Sequence, residues 1–210
     1  MTDHLPQLML AWSIQFMGVI SPGPGIMLIL SVAMSQGRIP SLITAFGIAC
    51  ASIVLSTTTV LGLTVIMAEA AGLVTFVRYL GTIYLIWLAC KAFRTAAWKP
   101  ELGQFEAPQR GAWGTGLTGF VLQLSNPKAL FFWLAVASVG GVGNAPASAT
   151  ALFIAGAFVI SFAGHGGYAW LLSSAPLRRI YERFRSWVEG TLGCFFLYAG
   201  YKLATSSDTH

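Results

Sequence analysis

The chain has 210 residues, of which 9% are charged and 56% apolar, with a formal net charge of +5 and a mean hydropathy of +0.72. A soluble domain carries roughly a quarter charged residues, so this chain cannot cover itself with a hydrated surface, and a polytopic membrane bundle fits its length better than soluble domains do. The basic residues fall between apolar stretches and form no aromatic-interleaved module, which argues against a nucleic-acid partner and for topology determinants among lipid headgroups.

The N-terminal Met-Thr-Asp-His carries no basic cluster and the apolar run after it has no A-x-A cleavage site, so this run is expected to remain as a span. A bilayer core about 30 Å thick needs roughly 20 apolar residues per helix. Stretches of that kind lie at about 5–34, 42–67, 72–92, 113–139, 147–172 and 188–203, which makes six, with the turn-rich Gly-Gly-Val-Gly-Asn-Ala-Pro at 140–146 dividing the fourth from the fifth. Arg38, then Lys91, Arg94, Lys99 and Arg110, then Arg178, Arg179, Arg183 and Arg185 lie on the first, third and fifth connections, against Arg78 and Lys202 on the other side. The positive-inside rule places the basic loops in the cytoplasm and both termini outside.

The first stretch is interrupted by Ser21-Pro22-Gly23-Pro24-Gly25. Two prolines remove amide donors and clash with the preceding turn, and the glycines add freedom. Taken alone, this reads either as a proline kink or as irregular backbone lining a polar cavity. The fourth stretch carries Ser125-Asn126-Pro127-Lys128 near its middle. Asn126 reads as a helix cap and Pro127 as the first helical position. Lysine at mid-bilayer costs about 2.5–3.5 kcal/mol or more. The nearest membrane face is roughly ten residues away, about 15 Å, so Lys128 is expected to face a polar interior. Its partner there is either backbone carbonyls freed by the break, or a substrate or coupling pathway.

The breaks fall in the first span of two three-span sets, and 84–91 resembles 195–202. An odd number of spans per half means the second half enters the membrane inverted, as in transporters whose paired discontinuous helices build a midplane site. The expected fold is therefore an all-α transmembrane bundle, a single membrane domain over 1–210, with repeat one at 1–95, a cytoplasmic connecting loop at 96–111 and repeat two at 112–204. The half-helices after Pro24 and Pro127 would each offer unpaired amides and a positive dipole end, which with Lys128 suit a carboxylate. No Asp or Glu falls mid-span, which favours a zwitterion or an anion over a dibasic substrate or metal cation.

With these motifs the chain resembles the lysine exporter / homoserine–threonine exporter family of small membrane amino-acid exporters. The resemblance rests on Ser-Pro-Gly-Pro at 21–24, Gly47 and Ala51, Gly-Thr-Ile-Tyr-Leu-Ile-Trp-Leu-Ala-Cys-Lys at 81–91 followed by Arg94, and Gly-Phe-Val-Leu-Gln-Leu-Ser-Asn-Pro-Lys-Ala-Leu-Phe-Phe at 119–132. It implies secondary-active export of amino acids across a bacterial plasma (inner) membrane, driven by the proton-motive force. Substrate-binding residues would be Ser21, Pro22, Gly23, Pro24, Gly25, Asn126, Pro127 and Lys128. Three features depart from the family. Gly25 stands where asparagine usually follows Pro-Gly-Pro, Ala-Ser-Val-Gly-Gly at 137–141 replaces Pro-Gln-Phe, and Phe131 or Phe132 stands where exporters of basic amino acids carry an acid. The last implies a neutral substrate.

His165, flanked by Gly164, Gly166 and Gly167, is with Lys128 a candidate for proton coupling; the plainer reading is a histidine bonded to neighbouring backbone at a close helix contact. Glu189 follows Arg185 by one turn and reads as an interfacial pair. Most of the tryptophans read as interface anchors, with Phe132 and Trp133 near enough to the break to line a pocket. The hydroxyls at 56–59 read as bonded to their own helix. Cys50, Cys90 and Cys194 read as small buried residues, and no metal or cofactor is called for. No hydrolase or metalloprotease motif appears, so an enzyme is disfavoured. A channel or carrier for another small solute, or a membrane subunit without transport, are the alternatives. The partners expected are an amino-acid substrate and lipid, and a homo-oligomer is compatible with the sequence.

Overall fold

The computed structural model describes residues 5–69, 71–98, 110–140 and 145–205, and every element among them is helical. In chain order these are α1 (Leu5–Ile20), α2 (Pro24–Ser35), α3 (Arg38–Glu69), α4 (Ala71–Trp98), α5 (Ala112–Ser125), α6 (Pro127–Gly140), α7 (Ala147–Leu172) and α8 (Ala175–Thr205). Among the described residues two helices are long and apolar enough to cross a membrane, Arg38–Gly62 within α3 and Ala147–Leu172, and α1 with α2 makes a third if the bent pair is one span. Residues 99–109 of the connecting loop, 141–144 of the turn-rich segment, and the side chains of Arg78, Pro127 and Phe131 lie outside the described residues.

The punctuation of the chain accounts for the element ends. Pro22 can neither donate to α1 nor fit against its last turn, so the helix stops at Ile20. Gly23 is extended and Pro24 restarts the chain as α2 at an angle of 48°. Asn126, extended (φ −78°, ψ 110°) as a residue before proline prefers, separates α5 from α6. Gly37 takes φ 91° between α2 and α3, where a side chain would be strained.

Helix bounds differ from the sequence reading in α3, which starts at Arg38 and not near 42, in α4, which runs to Trp98 and not to 92, and most of all in α8. The basic cluster at 178–185 is not a loop. α8 begins at Ala175, with Pro176 in its first turn, and runs unbroken through the cluster to Thr205. A proline near the start is compatible with a helix, and the arginines are themselves good helix formers. Lys91 and Arg94 likewise sit inside the last turns of α4.

α4 packs along α8, and α3 along both α7 and α5. α1 lies against α7 and α6, α2 against α3, α7 and α5, and α6 also meets α3 and α4. The α3–α5 crossing is tight because it lacks side chains. A Cβ at Gly47 would fall on the carbonyl of Gly116, and one at Gly119 on that of Thr44. Small residues at such crossings are how membrane helices gain contact where no hydrophobic force drives them together.

Two apolar clusters result, one around Leu85, Leu88, Trp133, Phe153 and Phe196 and one around Ile26, Ile29, Leu30, Ile48 and Leu172. Ile20, the last residue of α1, touches both, which puts the first break at their seam. Cys90 and Cys194 are exposed and Cys50 half-buried, all as free thiols, contrary to the expectation of burial: in lipid, a thiol on the outer face incurs no penalty for its apolar surroundings. Trp12 is not an interface anchor, since its indole nitrogen donates to Phe153 O at 3.4 Å and its ring fills the space left by Gly156. Trp98, Trp113 and Trp187 are exposed.

Candidate functional site

A helix end leaves carbonyls without partners, and side chains of other helices take up those of the first break. Tyr168, from α7, donates its hydroxyl to Ile20 O at 2.7 Å. Lys128, from the first turn of α6, donates Nζ to Ser21 O at 2.8 Å. A cation at a helix C-terminus is also favourably placed in the field of the aligned peptides. Beyond the break, Gly23 supplies no side-chain cap to α2, so the first amides of that helix lack a capping partner from it.

The second break is closed differently. Asn126 Oδ1 accepts from the Lys128 amide at 3.0 Å, and Asn126 O accepts from Ala129 at 2.9 Å and Leu130 at 3.1 Å. Asn126 therefore caps α6 as its sequence position suggests, and in doing so it occupies the amides expected to stand open for a ligand. The arrangement is asymmetric: α2 presents an uncapped start, whereas α6 presents the ammonium of Lys128. Tyr84, from α4, donates to Lys128 O at 2.8 Å and fixes the turn that carries it.

Between the breaks lies a cavity of about 50 Å³. One water needs roughly 10–15 Å³ of such space, so it accommodates a few waters or a small polar solute. Its polar lining comes from Gln15, Ser21, Ser52, Gln123, Asn126, Lys128 and His165, and its apolar wall includes Ile26, Phe132 and Trp133. Phe132 reaches it over Gly18, where any Cβ would strike the ring.

Of the residues singled out in sequence, Ser21, Gly23, Gly25, Asn126, Lys128 and His165 line this one cavity, as do Phe132 and Trp133, whereas Pro22 and Pro24 shape the first break without lining it. A Cβ on Gly25 would sit 3.5 Å from His165 Nε2 and from Ile48 Cδ1. His165 Nδ1 lies 3.0 Å from Ser161 O. That carbonyl can only accept, so Nδ1 carries the proton and Nε2 of the neutral ring is left as an acceptor. Ser52 Oγ donates to Ser161 Oγ at 2.9 Å, extending a polar chain from α3 to the histidine. The close helix contact expected around His165 is made by Gly164, against Val19; a Cβ at Gly166 would meet Leu42 at an ordinary 3.8 Å, and one at Gly167 nothing within 4 Å among the described residues.

Three features depart from the sequence reading or escape it. Arg185 and Glu189 are both buried where the sequence reading put a pair at the interface, and the carboxyl of Glu189 is within electrostatic range of Arg185, Lys128 and Lys91. Tyr84 and Tyr168 hold the breaks, though nothing in their local sequence marks them. Gln15, 1% exposed, lines the cavity, and an amide inside an apolar run could have flagged it by the argument applied to Lys128. The hydroxyls of Ser56, Thr58 and Thr59 do bond to their own helix.

Comparison with known proteins matches residues 16–207 to the family described as LysE type translocator. Among curated proteins, the chain is 29% identical over 196 residues to the threonine efflux protein of Escherichia coli (strain K12), covering 92% of this chain and 95% of that one. It is 29% identical over 197 residues to the threonine efflux protein of Salmonella typhi, at the same coverages. The leucine efflux protein of Klebsiella pneumoniae is 29% identical over 116 residues, 55% of this chain and 54% of that one. No solved structure matches.

Proposed function

Since the chain belongs to the LysE type translocator family, we propose that it exports neutral amino acids or close derivatives across the bacterial plasma membrane by secondary-active transport. The observation that carries this reading is the cavity between two helix breaks, with the Lys128 ammonium directed into the seam. An ammonium can make three hydrogen bonds, and a substrate carboxylate placed beside Ser21 O would take one or more of them, with the uncapped start of α2 as a second seat. His165, linked to Ser161 and Ser52, is the proposed route for a coupling proton. Threonine and leucine, the solutes named in the relatives, are the first to try.

In this reading the bundle is two inverted repeats of three spans, α1/α2, α3 and α4 against α5/α6, α7 and α8, with basic segments cytoplasmic and both termini outside. Support comes from the helix pairs. Exchanging the two sets carries α3–α5 onto α7–α1, α2–α7 onto α6–α3, and α1–α6 onto α5–α2, each of which is a contact. Access would alternate as one set rocks against the other around the breaks.

The test is counterflow of labelled amino acids into liposomes holding the purified protein, with Lys128→Ala beside wild type. Uptake of one or a few neutral amino acids, lost in the variant, is the expected result. Uptake unaffected by the substitution would remove Lys128 from the site, and absence of uptake by folded wild type would overturn amino-acid export.

A further inference from the structure

Gln15 lies on α1, less than two turns before the break, and its Nε2 donates to Ala157 O of α7 at 2.7 Å. A carbonyl only accepts, so the orientation of the amide is fixed and Oε1 is turned the other way. That oxygen is buried and has no hydrogen-bond partner among the described residues, and its residue lines the same cavity as Lys128. Orphaned buried acceptors are rare in folded proteins. The link to Ala157 accounts for the nitrogen of the amide and leaves its oxygen unexplained.

We propose that Gln15 Oε1 accepts the substrate's ammonium group, so that Gln15 and Lys128 together select α-amino acids over the corresponding α-hydroxy acids. This rests on the export reading above. A zwitterion has complementary groups for both: its carboxylate answers the ammonium of Lys128, and its N–H groups answer the vacant oxygen. A hydroxy acid retains the carboxylate and loses the cationic donor. His165 Nε2 faces the same space as a second acceptor. Both acceptors are neutral, so a filled site holds a zwitterion without an added buried charge, which suits neutral substrates over cationic ones.

The test measures how strongly unlabelled leucine and its α-hydroxy counterpart, 2-hydroxy-4-methylpentanoate, compete with counterflow of labelled threonine and labelled leucine in liposomes. Wild type is expected to favour the amino acid at least tenfold. In Gln15→Met, which keeps the bulk but no acceptor oxygen, the preference is expected to fall below threefold, through weaker competition by the amino acid and little change for the hydroxy acid. A Gln15→Met protein that loses both ligands equally, with the ratio intact, would reduce Gln15 to a packing role and overturn the inference while leaving export in place. A wild-type ratio near one would do the same. Should Gln15→Met not fold, Gln15→Glu decides, because it keeps an acceptor at the position: a preserved ratio supports the assignment and a lost one overturns it. Wild type that carries neither labelled amino acid overturns the export reading, and this inference with it.

Discussion

Lys128 Nζ lies 2.8 Å from the backbone oxygen of Ser21, tying the first turn of α6 to the first residue past the end of α1 across 107 positions of sequence. The contact joins two helix ends that each need a partner. It gives the ammonium an acceptor, and two of its three N–H groups remain for other partners.

Replacing Lys128 by methionine keeps length and bulk and removes the charge. Counterflow of a neutral amino acid is expected to fall at least tenfold, while the variant still elutes as a folded species in detergent, because an apolar chain in a buried site costs little once no charge is stranded. Lys128→Arg is expected to restore only part of the activity, since the guanidinium is planar and its donors fan out differently.

Asn126→Ala removes the cap from α6. The loss is expected to be about 0.5–2 kcal/mol, read as a lowered thermal midpoint in detergent, and Asn126→Asp or Asn126→Ser should recover most of it. If alanine were as stable as wild type, the bond from the Lys128 amide to Asn126 Oδ1 would contribute nothing measurable.

Gly25 has room for one methyl group and no more. Its Cβ would lie at ordinary contact distance, 3.5 Å, from His165 Nε2 and Ile48 Cδ1. Gly25→Ala is expected to transport within about threefold of wild type, whereas Gly25→Leu fills the cavity and abolishes uptake with the fold intact. The transport assay combined with size-exclusion profiles separates the two effects.

Gly47→Leu drives a side chain into the backbone of Gly116 at the α3–α5 crossing. Overpacking of this kind costs about 1–3 kcal/mol, and the expected readout is a reduced folded yield and an earlier thermal transition. Gly167→Leu, where nothing lies within 4 Å, is the matched control and should behave as wild type.

How much of this was legible beforehand depended on whether the determinant was local. Pro22, Pro24 and Pro127 act on their own backbone, so both breaks could be read directly, whereas the end of α4 and the start of α8 could not. Lys128 was legible because a charge in an apolar run must find a partner, although sequence left open whether that partner was a carbonyl or a ligand. The carbonyl is present, and it belongs to Ser21. Tyr84 and Tyr168 were not legible: a tyrosine in a membrane helix has many uses, and only tertiary packing places its hydroxyl against a break. The burial of Glu189 escaped for a related reason, since the loop assumed at 178–185 is helix and carries Arg185 and Glu189 inward with it. The two breaks looked equivalent in sequence, and the difference between them comes from one side chain, since Asn126 can cap and Gly23 cannot.

The oxygen that receives Lys128 belongs to the main chain, so no codon specifies it. Substituting Ser21 by alanine changes a side chain and leaves the acceptor where it was. A survey of replacements at position 21 would thus pass over the bond entirely, and a search for compensating pairs would find no second residue to vary with the lysine. Reaching it genetically requires altering the path of the chain, through Pro22 or Gly23, so that the carbonyl points elsewhere.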